Sequence, residues 1–449
     1  MSSIRSARAT ATAALLLLIL TSTAAAGAGR SAPPGGDVPA ATKSAEIRVT
    51  LGRILAEHAF LLMQLMRAEA AKAPERDALR AVLEDNSVEL ADAVGSVYGA
   101  AAGDTFLDHW TGHIDLLVEY ARAVAAGDNA KVTTTGRAID EARDRLAALL
   151  VKVNPRLDAR EGAAALRLHM NHMRKFADAD PVAAYAAERE AFEHMFAFGD
   201  TFAKAIIKQY PDRFADSRMV FSPAADLRVR LNRLLGEHLL LAGEAMRTGL
   251  VGSAASGPAQ AARAALEENT KDLADSIALV YGADAGAAFG NLWRTHINAY
   301  LDYIDGVKAK NEAEKQRTLR VIRSYGPQFG AFIASANNQL SADAVADLIH
   351  HHSEALIGQI NAFAAKDYPR AFSTVREAYG HMFTVGDGLA GAIAAQFPDR
   401  FADLAALPGT ATEHLPQADW SPNIALLGAS ALVALLLFLA LGTRRLRRS

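Results

Sequence analysis

One block of sequence occurs twice in this chain, and that repetition limits the folds open to it more than any other feature does. The first copy reads HMF at 194–196, GD at 199–200 and PDRFAD at 211–216, and the second copy has the same letters at 381–383, 386–387 and 398–403. The offset is 187 at every one of these positions (381 minus 194, 403 minus 216). The chain therefore contains an internal duplication, and functional residues are expected in both copies.

The apolar residues of each copy recur with the period of an α-helix. A stripe with three- or four-residue spacing runs from Leu51 to Leu65, and copy two repeats it from Leu231 to Ala245. No alternating strand pattern is found, and the low aromatic content of 7% alongside abundant alanine and leucine favours helices. We predict an all-α fold of two tandem up-down helical bundles of about six helices each, plus one C-terminal transmembrane helix.

The N-terminal residues predict an export signal that spans 1–26. Arg5 and Arg8 precede a short apolar run, which is too short to cross a bilayer, and small residues near position 25 suit cleavage. Residues 27–42 are rich in Gly, Pro, Ala and Ser and predict a flexible linker. The chain has no cysteine, so neither disulfides nor a lipid-modified cysteine are expected, and 449 residues suffice for a core without them.

The two bundles are predicted at 43–216 and 222–403, and a second polar linker follows at 404–421. Residues 424–442 form an uncharged apolar run of 19 residues, close to the ~20 that span a bilayer. The arginine-rich tail at 443–449 should stay in the cytoplasm, which leaves the bundles outside the cell membrane. The stretch LPQAD at 415–419 resembles a sortase signal without its Thr-Gly, so covalent attachment to the cell wall is an alternative to a plain membrane anchor.

The charge of the exposed part excludes some partners. The whole chain has a formal net charge of −3, and removal of the two arginines of the signal and the four of the tail leaves −9. A moderately acidic ectodomain is a poor ligand for nucleic acids or anionic lipids. We therefore expect no nucleic-acid partner, and the sequence names no protein partner.

Histidines stand at positions of the predicted stripes where apolar residues belong. In copy one these are His58, His113 and His194. Their counterparts in copy two are His238, His296 and His381. The fifth helix of each bundle adds His169 and His172, or the run at 350–352 in which His351 and His352 are candidates, although the match between copies is loose there.

Several imidazoles that point into one core need partners, because a buried polar ring without one costs free energy. Neutral imidazole is a common metal ligand, and helical bundles build metal sites from facing helices. Glu57 and Glu237 precede the first histidine of each copy and could reach such a site as ligands or supporting groups. Nitrogen ligands suit copper or zinc, and added carboxylates would admit iron or manganese.

Two other interpretations remain open. The histidines could be structural, each hydrogen-bonded within the core of an adhesive or structural ectodomain with no cofactor. A metal-dependent oxidoreductase on a hemerythrin- or ferritin-like bundle is the third interpretation, by analogy of fold. The chain lacks a His-Glu-x-x-His motif and an inward Glu-x-x-His pair, so the sequence favours binding without catalysis.

The repeated region resembles exported tandem-repeat helical proteins of Gram-positive bacteria. The resemblance rests on EH at 57–58, VYG at 97–99, W-x-x-H at 293–296, REAY-x-HM at 376–382 and QFP at 396–398. Some members of that group carry a copper amine oxidase label. Those enzymes form their quinone from the tyrosine of Asn-Tyr-Asp or Asn-Tyr-Glu, and none of the ten tyrosines here follows an asparagine. The resemblance thus implies an exported helical protein and not that chemistry.

Overall fold

The computed structural model describes residues 42–214, 221–253 and 255–401. This part of the chain is all-α, with twelve α-helices and no strand. The first six helices are α1 Lys43–Ala70, α2 Arg76–Tyr98, α3 Ala100–Ala126, α4 Asn129–Val153, α5 Ala159–Asp178 and α6 Pro181–Gln209, followed by a 3-10 turn at Pro211–Arg213. The other six are α7 Pro223–Val251, α8 Gly257–Tyr281, α9 Ala283–Lys308, α10 Glu312–Ala336, α11 Ala342–Ala364 and α12 Tyr368–Gln396.

Local sequence signals set where the helices begin and turn. The hydroxyl of Thr42 accepts the backbone N–H of Ala45 at the start of α1, and Ser222 caps α7 in the same way. Gly99 lies between α2 and α3 with φ +94°, a backbone conformation that other residues rarely adopt. Gly282 takes φ +91° between α8 and α9. The same devices therefore start and turn helices at corresponding places in both copies.

Successive helices pack side by side, and the first and last helices of each set pack closely together. The contact between α1 and α6 is tight at a pair of glycines, because a Cβ on Gly199 would lie 2.8 Å from the backbone nitrogen of Gly52. In the second set, a Cβ on Gly386 would overlap the side chain of Asn232. These contacts close each set of six helices into a bundle around α1 or α7.

The two bundles also contact each other. Helix α1 packs on α7, α6 on α8, and α12 on α2, and one hydrophobic core cluster includes residues from both bundles. Arg48 in α1 binds Asp200 in its own bundle and Asp226 in the other. Arg228 in α7 does the same with Asp387 and Glu46. Reciprocal ion pairs therefore link the two bundles.

Helix α1 is the one described helix long and apolar enough to cross a membrane, but 83% of its most apolar stretch is buried among other helices. A helix so covered by its own bundle is a core helix. The predicted export signal at 1–26 and the predicted transmembrane helix at 424–442 lie outside the described residues. The linkers at 27–41 and 404–421 also lie outside them.

Candidate metal centre

Three histidines meet in the core of each bundle. His58, His113 and His169 offer ring nitrogens that all lie within 4.8 Å of one another. His238, His296 and His352 form the second group with the same limit on their spacing. All six side chains are at most 2% exposed. We call these groups the first and the second triad.

Each triad takes one residue from each of three helices that touch one another. In the first bundle α1, α3 and α5 are in mutual contact, and α7, α9 and α11 are so in the second. The histidines of α1 and α3 stand on the apolar stripes that face this shared space, as do those of α7 and α9. The placement of an imidazole on a core-facing stripe is therefore what brings the rings together.

The first triad makes few protein hydrogen bonds. Neither ring nitrogen of His58 or His169 has a partner in the described part of the chain, and His113 interacts with the backbone of Trp110. The rings lie against one another at centroid distances of 5.2–5.7 Å, and the indole of Trp110 packs on His58 and on His113 at 4.4 Å each. An unsatisfied buried polar group costs about 1–3 kcal/mol, and an ion between the rings would engage the one acceptor nitrogen of each ring.

The second triad is already linked by two hydrogen bonds. Trp293 Nε1 donates to His238 Nδ1 over 3.3 Å, and the Nε2 atoms of His238 and His296 are also 3.3 Å apart. Because the indole donates to Nδ1, the proton of the neutral His238 ring lies on Nε2, which donates to His296 Nε2. A metal ion at His238 Nε2 would have to displace that proton and the hydrogen bond from Trp293.

Burial holds these imidazoles neutral, the state in which they bind metals. Burial lowers the pKa of His113 to about 3 and that of His352 to about 4. The pKa values of His58 and His238 also lie well below their usual range, first because of burial and then because two neighbouring imidazoles disfavour a positive charge. A neutral ring keeps a lone pair free for coordination at pH 7.

Other predicted site residues lie outside the triads. His172 and His194 contact each other at a centroid distance of 5.4 Å, and His194 Nε2 donates to the backbone oxygen of Ala165. In the second bundle, exposed His351 shares a hydrogen bond with the backbone of its own helix, and His381 contacts the carbonyl of Leu348. These four histidines belong to α5–α6 and α11–α12 contacts, where backbone oxygens engage His194, His351 and His381.

The two glutamates predicted as metal ligands or supporting groups have another role. Both oxygens of Glu57 accept hydrogen bonds from Arg376 of the other bundle, and Asn86 donates to it at 2.7 Å. Glu237 is held in the same way by Arg189 and Asn269. Because these carboxylates join the two bundles, neither is part of a triad.

The structure resolves the loose match in the fifth helix of each bundle. His169 and His352 are 183 residues apart, the same offset that relates His113 to His296. The offset of 187 applies only after α5 and α11, because α11 is three residues longer and the connection after it is one residue longer. An alignment made from the helix starts would have selected the right histidines.

Cavities lie next to both triads. The larger cavity, of about 90 Å³ and with almost purely apolar walls, lies in the first bundle and reaches Trp110 without touching a histidine. A smaller one of about 10 Å³ lies in the second bundle and is bordered by His238, His296 and Tyr300. Only the second therefore touches histidine rings, and its wall there is apolar.

The arrangement can hold an ion in the centre of each triad by three neutral nitrogens, with at least one coordination position left for another ligand. No protein-family model matches the chain, and comparisons with curated proteins and with solved structures found no match.

Proposed function

We propose that this protein binds one transition-metal ion in the core of each bundle, through His58, His113 and His169 in the first and through the equivalent triad in the second. The observation that carries the proposal is the pair of buried three-histidine groups with nitrogens within 4.8 Å of one another. Two such groups at corresponding positions of a repeated sequence are what a duplicated binding site predicts.

The spacing of the nitrogens fits a bound ion. Zinc–nitrogen bonds are about 2.0–2.1 Å, so ligand nitrogens around a tetrahedral ion lie roughly 3.3 Å apart. His238 Nε2 and His296 Nε2 are 3.3 Å apart. An ion could thus bind these two nitrogens at their present spacing once it displaces the proton that the two rings share.

The donor set favours copper or zinc. All three ligands of each triad are imidazole nitrogens, which suit both metals. Iron or manganese would be favoured by added carboxylates, but Glu57 and Glu237 are engaged by arginines of the opposite bundle. The described residues thus supply no carboxylate to either triad.

Purely structural histidines, as in an adhesive ectodomain, receive less support from the first triad. Structural rings would be expected to have hydrogen-bond partners within the protein, and none of the nitrogens of His58 or His169 has one among the described residues. Binding without catalysis also fits better than an oxidoreductase, because no buried carboxylate stands ready in either group to act as an acid or base.

We place this metal-binding protein outside the cell membrane, as a duplicated helical ectodomain tethered by residues 424–442. The predicted export signal, the apolar run and the arginine tail support this location. The resemblance to exported tandem-repeat proteins of Gram-positive bacteria agrees with a place at a bacterial cell surface.

Elemental analysis tests the proposal. The purified protein, incubated with excess Zn²⁺ or Cu²⁺ and desalted, should retain two ions per chain. His113→Ala and His296→Ala should each retain one metal ion per chain, and the double variant should retain none. His194→Ala is the matched control because its ring is bonded to a backbone oxygen, and it should retain both ions. Unchanged metal content in the double variant would refute the proposal.

A further inference from the structure

A cavity at one end of the first bundle has no part in the metal centres. Its volume is about 90 Å³, and its walls are almost entirely apolar side chains of α1, α2, α3, α4 and α6. Fully buried Trp110 and Leu90 line its inner part, and half-buried Tyr98 and exposed Arg213 line its mouth. Leu90 and Tyr98 are eight residues apart on α2, which corresponds to about 12 Å of helix. The cavity is therefore long and narrow.

The size and the walls of this cavity suit a hydrocarbon chain. Water occupies buried cavities that offer it several polar partners, whereas apolar cavities stay dry and accept hydrocarbons. A cavity of about 150 Å³ holds benzene, so a volume of about 90 Å³ encloses roughly four carbons. An extended chain of about eight carbons would reach from the mouth to the inner end, since each carbon–carbon bond advances it by roughly 1.3 Å. The narrow shape favours an unbranched chain whose tail is enclosed and whose first carbons lie in the mouth.

Two polar side chains at the mouth have donors to spare. The guanidinium of Arg213 stacks on the ring of Tyr210 at 4.6 Å, a contact that uses its planar face and leaves its N–H groups available. Arg213 makes no hydrogen bond or ion pair within the described part of the chain. The Tyr98 hydroxyl accepts from Asn154 at 2.8 Å, and its own proton has no acceptor among the described residues. Because the rings of Tyr98 and Tyr210 are 6.2 Å apart, both donors lie at the same opening.

The equivalent donors of the second bundle are occupied by the protein itself. Arg400, which stands 187 positions after Arg213, donates to two backbone oxygens at the end of α8. Tyr281, which stands 183 positions after Tyr98, donates to the side chain of Gln396 at 2.7 Å. The first bundle thus leaves open, beside an apolar cavity, the same two donors that the second bundle uses for internal contacts. An anionic group at the mouth would engage both of them.

We propose that the first bundle binds an unbranched aliphatic carboxylate about eight carbons long, with its chain in the apolar cavity and its carboxylate at Arg213 and Tyr98. A guanidinium donates two parallel hydrogen bonds to a carboxylate, and the tyrosine hydroxyl adds a third. Each methylene that enters the cavity contributes a factor of about four to the affinity. The site is independent of the proposed metal binding, because the cavity touches no histidine.

Equilibrium dialysis with radiolabelled octanoate tests the site in the full-length protein. The protein is reconstituted in nanodiscs and kept in a chelator, and empty nanodiscs measure the octanoate that partitions into lipid. We expect one octanoate per chain above that background. Butanoate has four methylenes fewer, so it should need a concentration at least ~50-fold higher to displace the label, at about four-fold for each buried methylene.

Three variants assign the two ends of the ligand. Arg213→Gln should weaken octanoate binding about ten-fold or more, as expected for the loss of hydrogen bonds between charged groups, and should leave the binding of labelled octan-1-ol unchanged. Arg400→Gln is the matched control, because that arginine binds the backbone of α8, and it should retain full octanoate affinity. Val94→Phe places a larger ring in the cavity wall and should abolish the binding of both molecules. Circular dichroism establishes that each variant is folded.

The outcomes separate this site from the metal centres. Octanoate uptake no greater than that of empty nanodiscs, or equal displacement by butanoate, would overturn the site and leave the metal proposal untouched. Unchanged octanoate affinity in Arg213→Gln would overturn the position of the carboxylate, and this test does not depend on the core because Arg213 is exposed. Full binding in a folded Val94→Phe variant would overturn the assignment of the chain to this cavity.

Discussion

The guanidinium of Arg376 in α12 binds both carboxylate oxygens of Glu57 in α1, with Nε 3.0 Å from Oε1, and so joins the second bundle to the residue that precedes a histidine of the first triad. Arg189 in α6 of the first bundle binds Glu237 in α7 of the second bundle, also at 3.0 Å. Each bundle thus holds the glutamate next to the other bundle's first histidine. The bundles are linked close to both triads.

Removal of one of these arginines should destabilise the protein substantially. Arg376→Ala leaves the carboxylate of Glu57, which is only 1% exposed, with Asn86 as its remaining partner. Loss of one partner of a buried ion pair costs ~3 kcal/mol or more, so the denaturant midpoint should fall clearly. Arg323→Ala is the control: its pair with Glu354 is 3.7 Å long and exposed, and its loss should cost under ~0.5 kcal/mol. Equal effects of both variants would contradict the role of the buried pair.

The bundles expressed separately, as residues 43–220 and 221–404, should each be helical and melt cooperatively, because each contains its own six helices and its own triad. Separation exposes the faces where α1 meets α7 and leaves Glu57 and Glu237 without arginine partners. We therefore expect both fragments to melt at a lower temperature than the whole protein and to co-purify when mixed. Circular dichroism and size-exclusion chromatography measure this, and non-cooperative melting of both fragments would indicate a core that cannot be divided.

Metal should stabilise the protein through the triads alone. A ligand that binds only the folded state at a hundred times its Kd adds about 2.7 kcal/mol to the free energy of unfolding. In His113→Ala the increase in the free energy of unfolding caused by metal should be about half of that in the unaltered protein. His172→Ala, which lies outside the triads, should show the full increase. Thermal or denaturant unfolding with and without Zn²⁺ gives both values. A full metal effect in His113→Ala would show that the ion binds elsewhere.

Stability of the metal-free protein should be greatest near pH 6.5. Buried histidines with lowered pKa values, such as His113 at about 3 and His352 at about 4, bind protons only after unfolding. Below pH 6.5 each such histidine therefore reduces the free energy of unfolding by about 1.4 kcal/mol per pH unit until its folded pKa is reached. Above pH 6.5 the histidines no longer contribute to the slope.

The alkaline side of this maximum has a different origin. Burial raises the pKa of Glu188 to about 8, so the folded state retains a proton that the unfolded state loses near pH 4.5, and stability declines as pH rises toward 8. Glu188→Gln should flatten this decline and steepen the acid side, because Glu188 opposes the histidines between pH 4.5 and 6.5. Denaturant midpoints between pH 5 and 8 in a chelator measure both slopes. A stability that keeps rising from pH 6.5 to 8 in the unaltered protein would contradict this account.

The topology has its own test. The bundles should be digested by protease added to intact cells, and deletion of residues 422–449 should release a folded, secreted protein, since no described helix extends beyond Gln396. Fractionation and immunoblotting detect both results. Bundles protected from protease in intact cells would refute the extracytoplasmic placement.

The sequence by itself determined the helical class, the repeated motif and the histidines of α1 and α3, because each depends on local information. Three- and four-residue spacing decides which face of a helix turns inward, so an imidazole on that face is recognisable as a core residue. The cap at Ser222 and the turn at Gly99 likewise depend on a few neighbouring residues.

Only the tertiary structure decided which imidazoles share one point. The sequence offered both His169 and His194, yet the contacts among α1, α3 and α5 bring His169 to His58, while α6 carries His194 to the backbone of α5. The role of Glu57 was equally hidden, since its partner Arg376 lies 319 residues away in the other bundle. Helix periodicity defines a direction around one axis, whereas a coordination site depends on how several axes are placed, and that placement comes from long-range packing.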